Sequence, residues 1–306
     1  MYKVWNDFAE IGECFHPKFN MPLPSGILMV SPEYFNVVDI KNTYMRGNLN
    51  KVNLSLAQQQ WEDLYSTFKS LKDKGVISHL RVVEGVEGLE DMVFCANPLI
   101  YWLTEDGAPI ILLSNMRFFA RQPEVTFFEK YFQRKGVKTI QLSADLKLEG
   151  NGDLIPHPGK RVIWMGYGFR TDFEAAQYVV DSLDTHVIPL KLIDDNFYHL
   201  DTCFCIIDQD TVAICKNAFD DEGLKMIQAG FKKVWEIPFE EAVSSFALNS
   251  LVLTAPDGEL HAILPMNSVV LKSCLMGLKA TIVEVETSEY LKSGGSVYCM
   301  KMLTYE

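Results

Sequence analysis

The sequence predicts an α/β fold made of five similar units, each with two strands, a helix and a third strand. Helix starts recur roughly every 45–70 residues, most helices follow a pair of β-rich runs, and a last β-rich run near the C-terminus can close a ring. The chain of 306 residues suits one large domain or two small ones. A generic α/β or α+β domain with alternating elements fits the pattern about equally well.

Residues 1–25 are predicted to form an irregular arm, because Pro17, Pro22 and Pro24 interrupt any regular element. Residues 26–306 then form a single domain that begins with a buried strand at 26–30. A helix is predicted at 55–74, since apolar residues recur at three- to four-residue spacing and a glycine follows. Its apolar face consists of Leu56, Trp61, Leu64, Phe68 and Leu71.

The remaining units follow the same order. Strands at 92–96 and 109–114 are predicted to be joined near 105–107, where Glu-Asp-Gly favours a turn. Further helices are predicted at 123–134, 172–183, 221–229 and 266–277. Further strands are predicted at 137–142, 162–165, 187–192, 203–207, 211–215, 233–237, 250–253, 260–264, 281–285 and 296–303, the last of which closes the ring.

The composition is that of a globular protein, with 48 % apolar and 22 % charged residues. Acidic residues outnumber basic ones, 40 to 28, so the net charge of −12 argues against a nucleic-acid partner. No apolar run reaches the roughly 18 residues of a membrane span, and no secretory segment opens the chain, so we expect a cytoplasmic protein without membrane contact. Seven cysteines without a Cys-x-x-Cys pair predict free thiols and no metal site.

Two acidic motifs interrupt the repeats. Glu149 and Asp153 flank two glycines, which permit a turn that aims both carboxylates into one cavity. Paired acids suit a fork-shaped cation such as a guanidinium, although a surface turn also favours these residue types. His199 and Asp201 precede a strong strand and would share one strand face. They suit an acid/base group beside an anionic ligand holder, whereas a lone histidine is more often structural.

Cysteine and arginine supply two further candidates. The glycine pair 294–295 precedes Cys299 and leaves room for a ligand, and a nearby cation would make the thiolate a nucleophile. A buried structural cysteine is the alternative. Arg170 follows a glycine-rich segment at a helix start and suits a substrate carboxylate, as do Arg117 and Arg121. The alternative for each is a solvated arginine.

Four motifs follow one another along the chain: EGxGD at 149–153, GxxxRT at 166–171, HLD at 199–201, and the glycine pair 294–295 before Cys299. In this order they resemble the amidinotransferase and dimethylarginine dimethylaminohydrolase group of the pentein, or guanidino-group-modifying, superfamily. The resemblance covers nearly the whole chain from Gly26 and implies a five-bladed, pseudo-symmetric α/β propeller of ββαβ units. Segments that look most like arginine dihydrolases lie at 27–34, 41–48, 93–97 and 166–171. The chain continues for seven residues after Cys299, so we expect no additional C-terminal domain of the kind that longer dihydrolases carry.

The resemblance implies a cysteine hydrolase that acts on the guanidinium carbon of arginine without a cofactor. Cys299 would attack that carbon to form a covalent adduct. His199 would protonate the leaving amine and then activate water. Glu149 and Asp201 would hold the guanidinium, and Asp153 would have a supporting role.

The resemblance also implies how the rest of the substrate is held. Arg121 and Arg170 would bind the amino-acid carboxylate. Asn97 and Asn42 belong to the same pocket, and many relatives carry an acidic residue at the position of Asn97. An amide both donates and accepts, so it would retain a neutral citrulline-like intermediate and let hydrolysis proceed to ornithine, ammonia and carbon dioxide.

Several alternatives stay open. Within the same chemistry they are dimethylarginine hydrolysis, arginine deimination and amidino transfer. A modifier of protein arginine is another. A non-catalytic binding protein on the same scaffold is opposed by the presence of Cys299, His199 and Glu149. A small-molecule partner is expected, and a homo-oligomer is left open.

Overall fold

The computed structural model describes residues 1–16, 18 and 20–305. Pro17, one of the prolines of the predicted arm, and Glu306, the last residue of the predicted domain, lie outside these residues. The strands are β1 Gly26–Val30, β2 His79–Val83, β3 Leu99–Leu103, β4 Pro109–Leu113, β5 Lys138–Gln141, β6 Leu154–Pro156, β7 Val162–Tyr167, β8 His186–Lys191, β9 Phe204–Ile206, β10 Thr211–Ile214, β11 Lys233–Glu236, β12 Leu251–Thr254, β13 Leu260–Pro265, β14 Thr281–Val285 and β15 Met302–Thr304. The α-helices are α1 Leu54–Asp73, α2 Gln122–Gln133, α3 Gly150–Asp153, α4 Ala175–Leu183, α5 Asp221–Gly230, α6 Phe239–Ser244, α7 Val269–Met276 and α8 Ser288–Leu291.

The strands form five three-stranded sheets. In each sheet the central strand pairs antiparallel with one neighbour and parallel with the strand that follows the long helix of that unit. The orders are β15-β1-β2, β3-β4-β5, β6-β7-β8, β9-β10-β11 and β12-β13-β14. The predicted repeat of five ββαβ units is therefore confirmed, and the fold is a five-bladed α/β propeller.

Ring closure depends on the last strand. β15 pairs antiparallel with β1, with Thr304 opposite Gly26. The first blade is thus completed by the end of the chain, and β1 becomes the central strand of its sheet. The strand is shorter than the predicted 296–303, because Met300 N–H bonds to Ser296 O and holds the start of this segment in a helical turn.

The long helices bury the apolar faces that the sequence predicts. On α1, Trp61, Leu64, Phe68 and Leu71 are buried, whereas Leu56 at the start of the helix is exposed. Asn53 caps this helix by accepting from the N–H of Leu56. Over the part of the chain that the structure describes, no helix combines the length and apolarity needed to span a bilayer.

The N-terminal arm packs on the blade formed by β6, β7 and β8. Trp5, Ile11 and Cys14 are buried in the same apolar cluster as Trp164. Trp5 N–H donates to Val187 O at 2.9 Å. The arm therefore packs on the propeller and is hydrogen-bonded to it. The domain boundary between residues 25 and 26 stays a prediction.

One predicted strand is wrong, and the error has a consequence for the site. Residues 92–96 form turns, and the strand that pairs with β4 is Leu99–Leu103. Phe94 N–H bonds back to Asp91 O, and Ala96 N–H bonds to Cys299 O at 3.2 Å. These bonds satisfy the backbone outside a ladder and bring the segment that ends at Asn97 against the turn that carries Cys299.

Candidate active site

Six of the nine predicted site residues line one small cavity. The other three, Glu149, Asp153 and Asp201, are buried and do not line it. All nine lie outside the strands, in loops, turns or short helical segments of several blades, where functional residues are often found. The six lining residues are Asn42, Asn97, Arg121, Arg170, His199 and Cys299.

Cys299 lies in a helical turn that Asn249 holds from the neighbouring blade. Asn249 Oδ1 accepts from the backbone N–H groups of Ser296 and Cys299, at 3.1 and 3.2 Å. Its Nδ2 donates to Cys299 Sγ at 3.2 Å and to Asp201 O at 3.0 Å. Asn249 was not among the predicted site residues. The one available signal was a lone amide after an apolar run, at a position that proves to be fully buried.

Asp201 contacts the sulfur from the other side. Cys299 Sγ donates to Asp201 Oδ2 at 3.2 Å, and the buried Asp201 Oδ1 has no hydrogen-bond partner among the described residues. Burial raises the pKa of Asp201 to about 7, although the hydrogen bond from Cys299 and the positive charge of Lys301 both act to lower it. Burial and the neighbouring carboxylate together raise the pKa of the Cys299 thiol well above its usual value. Before a substrate binds, the sulfur is therefore a thiol rather than a thiolate.

The expectation that His199 and Asp201 share a strand face is wrong. Leu200–Thr202 form a 3-10 turn, because Thr202 N–H and Oγ1 both bond to His199 O. The turn still delivers both side chains to the site, with Asp201 at the sulfur and His199 lining the cavity.

Glu149 and His199 form a buried pair. His199 Nε2 lies 2.7 Å from Glu149 Oε2, and Arg170 Nη1 donates to the same oxygen at 2.9 Å. Arg117 does not line the cavity, but its backbone N–H donates to Glu149 Oε1 at 2.9 Å. Although burial opposes ionisation, Arg170 and His199 hold the pKa of Glu149 well below its usual value. Burial lowers the pKa of His199 to about 4 despite this carboxylate, so the imidazole is neutral before a substrate binds.

Asp153 contacts two segments of the site rather than the cavity. Its Oδ2 accepts from Thr171 Oγ1 at 2.7 Å, and its Oδ1 accepts from Leu200 N–H at 3.0 Å. Burial raises the pKa of Asp153 well above the usual range. Asp153 therefore joins the GxxxRT segment to the HLD segment, which is consistent with the supporting role expected for it.

Gly152 shows why the EGxGD motif needs glycine at this place. A Cβ at Gly152 would lie 2.4 Å from Asn97 Nδ2 and 3.1 Å from His199 Cγ. Any side chain would therefore displace two residues of the cavity. The motif forms the expected turn as the single helical turn α3, but neither Glu149 nor Asp153 lines the cavity as the sequence predicts.

Asn97 has one satisfied and one unsatisfied polar atom. Its Oδ1 accepts from Arg121 Nη1 at 2.9 Å, and its buried Nδ2 has no hydrogen-bond partner in the part of the chain that the structure describes. Because Arg121 can only donate, this bond fixes which amide atom is oxygen. Ser114 Oγ donates to the Asn97 backbone carbonyl at 2.6 Å and holds the residue in place. Asn97 thus presents a donor beside His199.

Most N–H groups of the Arg121 guanidinium already donate hydrogen bonds to other groups of the protein. Nε and Nη2 donate to the two carboxylate oxygens of Glu124 at 2.8 and 2.7 Å. Nη2 also donates to the backbone carbonyls of Asp91 and Phe94. With Nη1 on Asn97, at most one of the five N–H groups is left for a substrate. Carboxylate binding by Arg121 stays a prediction, while its orientation of Asn97 is a direct contact.

Arg170 lines the cavity and packs against two aromatic rings. Its guanidinium carbon is 4.6 Å from the Phe118 ring centre and 4.8 Å from that of Tyr198. Nη2 donates to Lys41 O at 2.9 Å. Several N–H groups remain for a carboxylate, and a role in binding it stays a prediction.

Asn42 lies at the rim of the cavity. Its Nδ2 donates to Ser293 O at 2.9 Å, and its Oδ1 accepts from Met45 N–H at 3.1 Å. Gly294 follows with φ of +79°, and a Cβ there would lie 2.9 Å from Asn42 Nδ2. Gly294 therefore lets the Cys299 turn pass close to Asn42.

Similarity to known proteins covers nearly the whole chain. The sequence model of the family described as "N,N dimethylarginine dimethylhydrolase, eukaryotic" matches residues 31–304. The chain is 32 % identical over 282 residues to the bifunctional arginine dihydrolase/ornithine cyclodeaminase AgrE of Nostoc sp., covering 91 % of this chain and 38 % of that protein. It therefore spans about two fifths of that relative.

Two further relatives are matched over most of their length. The N(G),N(G)-dimethylarginine dimethylaminohydrolase of Mycobacterium tuberculosis is 31 % identical over 283 residues, which cover 92 % of this chain and 87 % of that protein. The crystal structure of the N-terminal domain of a variant of ArgZ, covalently bound to a reaction intermediate, superposes with a TM-score of 0.82 at 31 % identity, covering 92 % and 98 % of the two chains. The chain belongs to the dimethylarginine dimethylaminohydrolase family.

Proposed function

We propose that this protein hydrolyses free arginine at the guanidinium carbon through a covalent adduct with Cys299, and that the reaction continues to ornithine, two ammonia and carbon dioxide. The observation that carries the proposal concerns two buried atoms of one site, the acceptor Asp201 Oδ1 and the donor Asn97 Nδ2. Neither has a hydrogen-bond partner among the residues that the structure describes. Buried polar atoms without partners are costly unless a ligand satisfies them.

The two atoms suit successive forms of one substrate. A guanidinium has only N–H donors, so it satisfies Asp201 but offers nothing to the Asn97 donor. A ureido group has a carbonyl oxygen, which accepts from Asn97 Nδ2. The site thus has a partner for the first intermediate product as well as for the substrate, which favours two rounds of hydrolysis over release after the first.

In the first round the proton of Cys299 moves to neutral His199, and Glu149 stabilises the resulting imidazolium. The thiolate attacks the guanidinium carbon. The C–N bond to a terminal nitrogen breaks as His199 returns its proton to the leaving ammonia. Water, deprotonated by His199, then attacks the adduct carbon, and the C–S bond breaks to leave citrulline and the thiolate.

In the second round the thiolate attacks the ureido carbon, and the terminal nitrogen leaves as ammonia after taking the proton that His199 holds from the first water, which leaves an S-alkyl thiocarbamate on Cys299. Water, deprotonated by His199, then attacks the thiocarbamate carbon, and the C–S bond breaks to leave a carbamate on the ornithine nitrogen and the thiolate. The carbamate loses carbon dioxide, and ornithine remains. Two waters are consumed for each arginine.

The relatives support this reaction. The bifunctional relative is named for arginine dihydrolysis, and the ArgZ structure holds a covalent reaction intermediate. The family name and the Mycobacterium relative favour dimethylarginine hydrolysis as the second candidate. Met45 and Phe94 line the cavity and would pack against N-methyl groups, which is the specific observation that favours it. Arginine deimination, amidino transfer and a protein-arginine substrate remain alternatives, a homo-oligomer stays open, and a cytoplasmic location remains a prediction.

Product analysis tests the proposal. Purified protein is incubated with L-arginine, and ornithine, citrulline and ammonia are measured over time, with Cys299→Ser as the control. Ornithine with two ammonia per arginine, absent in the control, is the expected result. Citrulline as the final product would instead make the protein a deiminase, and turnover of dimethylarginine alone would favour the second candidate.

A further inference from the structure

Lys301 is a buried cation beside the site that the reaction above does not use. Its side chain is fully buried, and Nζ has no hydrogen-bond partner among the described residues. Nζ instead lies 3.0 Å from the centre of the Tyr298 ring, a cation–π contact. A buried ammonium without a hydrogen-bonded carboxylate is costly, so its place two residues after Cys299 calls for a physical reason.

Four titratable groups act on Lys301 from the surrounding segments. They are Asp201 from the 3-10 turn after His199, and the thiols of Cys95 from the turns before β3, Cys299, and Cys205 from β9, which burial keeps protonated near neutral pH. Asp201 is the only carboxyl group among these four. Burial lowers the pKa of Lys301 to about 7, and Asp201 opposes that change. The two groups therefore each favour the charged form of the other.

We propose that Lys301 is a positioning residue that keeps Asp201 ionised before the substrate arrives and stabilises the Cys299 thiolate once a guanidinium has bound. This proposal deepens the proposed function and rests on it. Before binding, the ammonium and the carboxylate offset each other, and Cys299 Sγ–H donates to Asp201 Oδ2.

Substrate binding changes the charge balance. A guanidinium that binds Asp201 Oδ1 adds a second cation to one carboxylate, so the cluster of Lys301, Asp201, Cys299 and substrate carries a net charge of +1. Transfer of the Cys299 proton to His199 returns this cluster to neutrality. The thiolate therefore forms when the substrate is present, with Lys301 supplying one of the two positive charges that stabilise it.

The test compares two alkylating probes of the same shape on the wild-type protein and on Lys301→Met. 2-Chloroacetamidine carries a positive amidinium that occupies the place of the guanidinium, and 2-chloroacetamide is its neutral counterpart. With both probes a bond from Sγ to carbon forms and chloride leaves. Labelling of Cys299 is followed by peptide mass spectrometry between pH 5 and 10, with Cys299→Ser as the blank.

The two probes are expected to respond differently. With the cationic probe, Lys301→Met should react at least about tenfold more slowly at pH 7, and its pH midpoint should rise by about one unit, since each pKa unit is a tenfold change in thiolate fraction. With the neutral probe the rate should change by less than about threefold, because Lys301 and Asp201 offset each other until a cation arrives. Lys301→Arg should retain the wild-type midpoint with the cationic probe.

Two comparisons distinguish this positioning role from a structural one. Lys233→Met removes an exposed lysine that also lies over an aromatic ring, that of Trp235, and should leave both rates unchanged. Equal slowing with both probes would indicate a merely structural role for Lys301, and no change with either would equally overturn the proposal. Because alkylation needs no turnover, failure to hydrolyse arginine would refute the proposed function while leaving the labelling result interpretable.

Discussion

Asn97→Asp is the sharpest test of why the reaction would pass beyond citrulline. The substitution is nearly isosteric, and the new carboxylate would keep an oxygen at the position of Oδ1, which accepts from Arg121 Nη1 at 2.9 Å. It replaces only Nδ2, the buried donor without a partner among the described residues. The change therefore removes one donor and adds one negative charge at a single point of the cavity.

The expected size of the effect of Asn97→Asp on citrulline follows from the loss of the Nδ2 donor. With asparagine, the ureido oxygen of citrulline receives a hydrogen bond. With aspartate, it faces a carboxylate oxygen, so two buried acceptors oppose each other. Such a mismatch costs about 1–3 kcal/mol, which corresponds to about a five- to 150-fold change in the partition between release of citrulline and its second hydrolysis. Binding of cationic arginine should be unchanged or tighter, because the added charge is opposite to that of the guanidinium.

The assay measures citrulline and ornithine from arginine under single-turnover and multiple-turnover conditions. Asn97→Asp should release citrulline as its main product and should hydrolyse added citrulline about five- to 150-fold more slowly. Asn217→Asp, the same chemical change at an exposed position, should retain the wild-type ratio. An unchanged ratio of ornithine to citrulline in Asn97→Asp would refute the role of this donor in the second hydrolysis.

Three further changes test other parts of the site and the fold. Asn249→Asp replaces the donor to Cys299 Sγ by an acceptor, so the rate of Cys299 alkylation should fall about ten- to a hundredfold; an unchanged rate would show that this donor does not affect the sulfur. Glu149→Gln takes away the charge that stabilises imidazolium at His199, so kcat should fall at least about a hundredfold with little change in KM; a change confined to KM would contradict this role. Burial lowers the pKa of His199 to about 4 and that of His157 to about 3, so these two histidines bind fewer protons in the folded state than in the unfolded state below pH 6.5. Their contribution to stability, which the raised pKa values of Asp153 and Asp201 oppose, should therefore be lost as pH falls from 6.5 toward 4; urea unfolding in which His157→Gln loses as much stability as the wild type between pH 7.5 and pH 4.5 would contradict it.

The repeat could be predicted from the sequence because each unit contains its own signals. Apolar periodicity on α1 and the turn near 105–107 depend on residues close together in the chain. The error at 92–96 has the opposite cause. The apolar run there is typical of a strand, yet Ala96 N–H bonds to Cys299 O, about two hundred residues away, and a local pattern contains no information about such a partner.

The difference between local signals and distant partners also explains which site residues the sequence identifies. Glu149, His199 and Cys299 were found through the order of short motifs, and those motifs resemble a family. The relative geometry of these residues cannot be predicted from the motifs. The sequence predicts His199 on a strand, whereas the residues that follow it form a 3-10 turn. The sequence predicts that Arg121 binds the substrate carboxylate, whereas Glu124, one helical turn further on, accepts two hydrogen bonds from its guanidinium. The i, i+3 spacing of this pair is a local signal that the prediction did not use.

Asn249 and Lys301 were missed for a physical reason that they share. Asn249 lies with Ser250 between two apolar runs, and Lys301 is a single polar residue inside an apolar stretch, so either would be read locally as an interruption or an exposed position. Their roles arise from partners on other blades: Asn249 holds the Cys299 turn from fifty residues away, and the strongest charge on Lys301 comes from Asp201, a hundred residues earlier. Both residues act on the sulfur and carboxylate that the motifs did identify. A motif thus locates the reacting atoms, whereas the residues that set the charge and orientation of those atoms follow from the closure of the five-bladed ring.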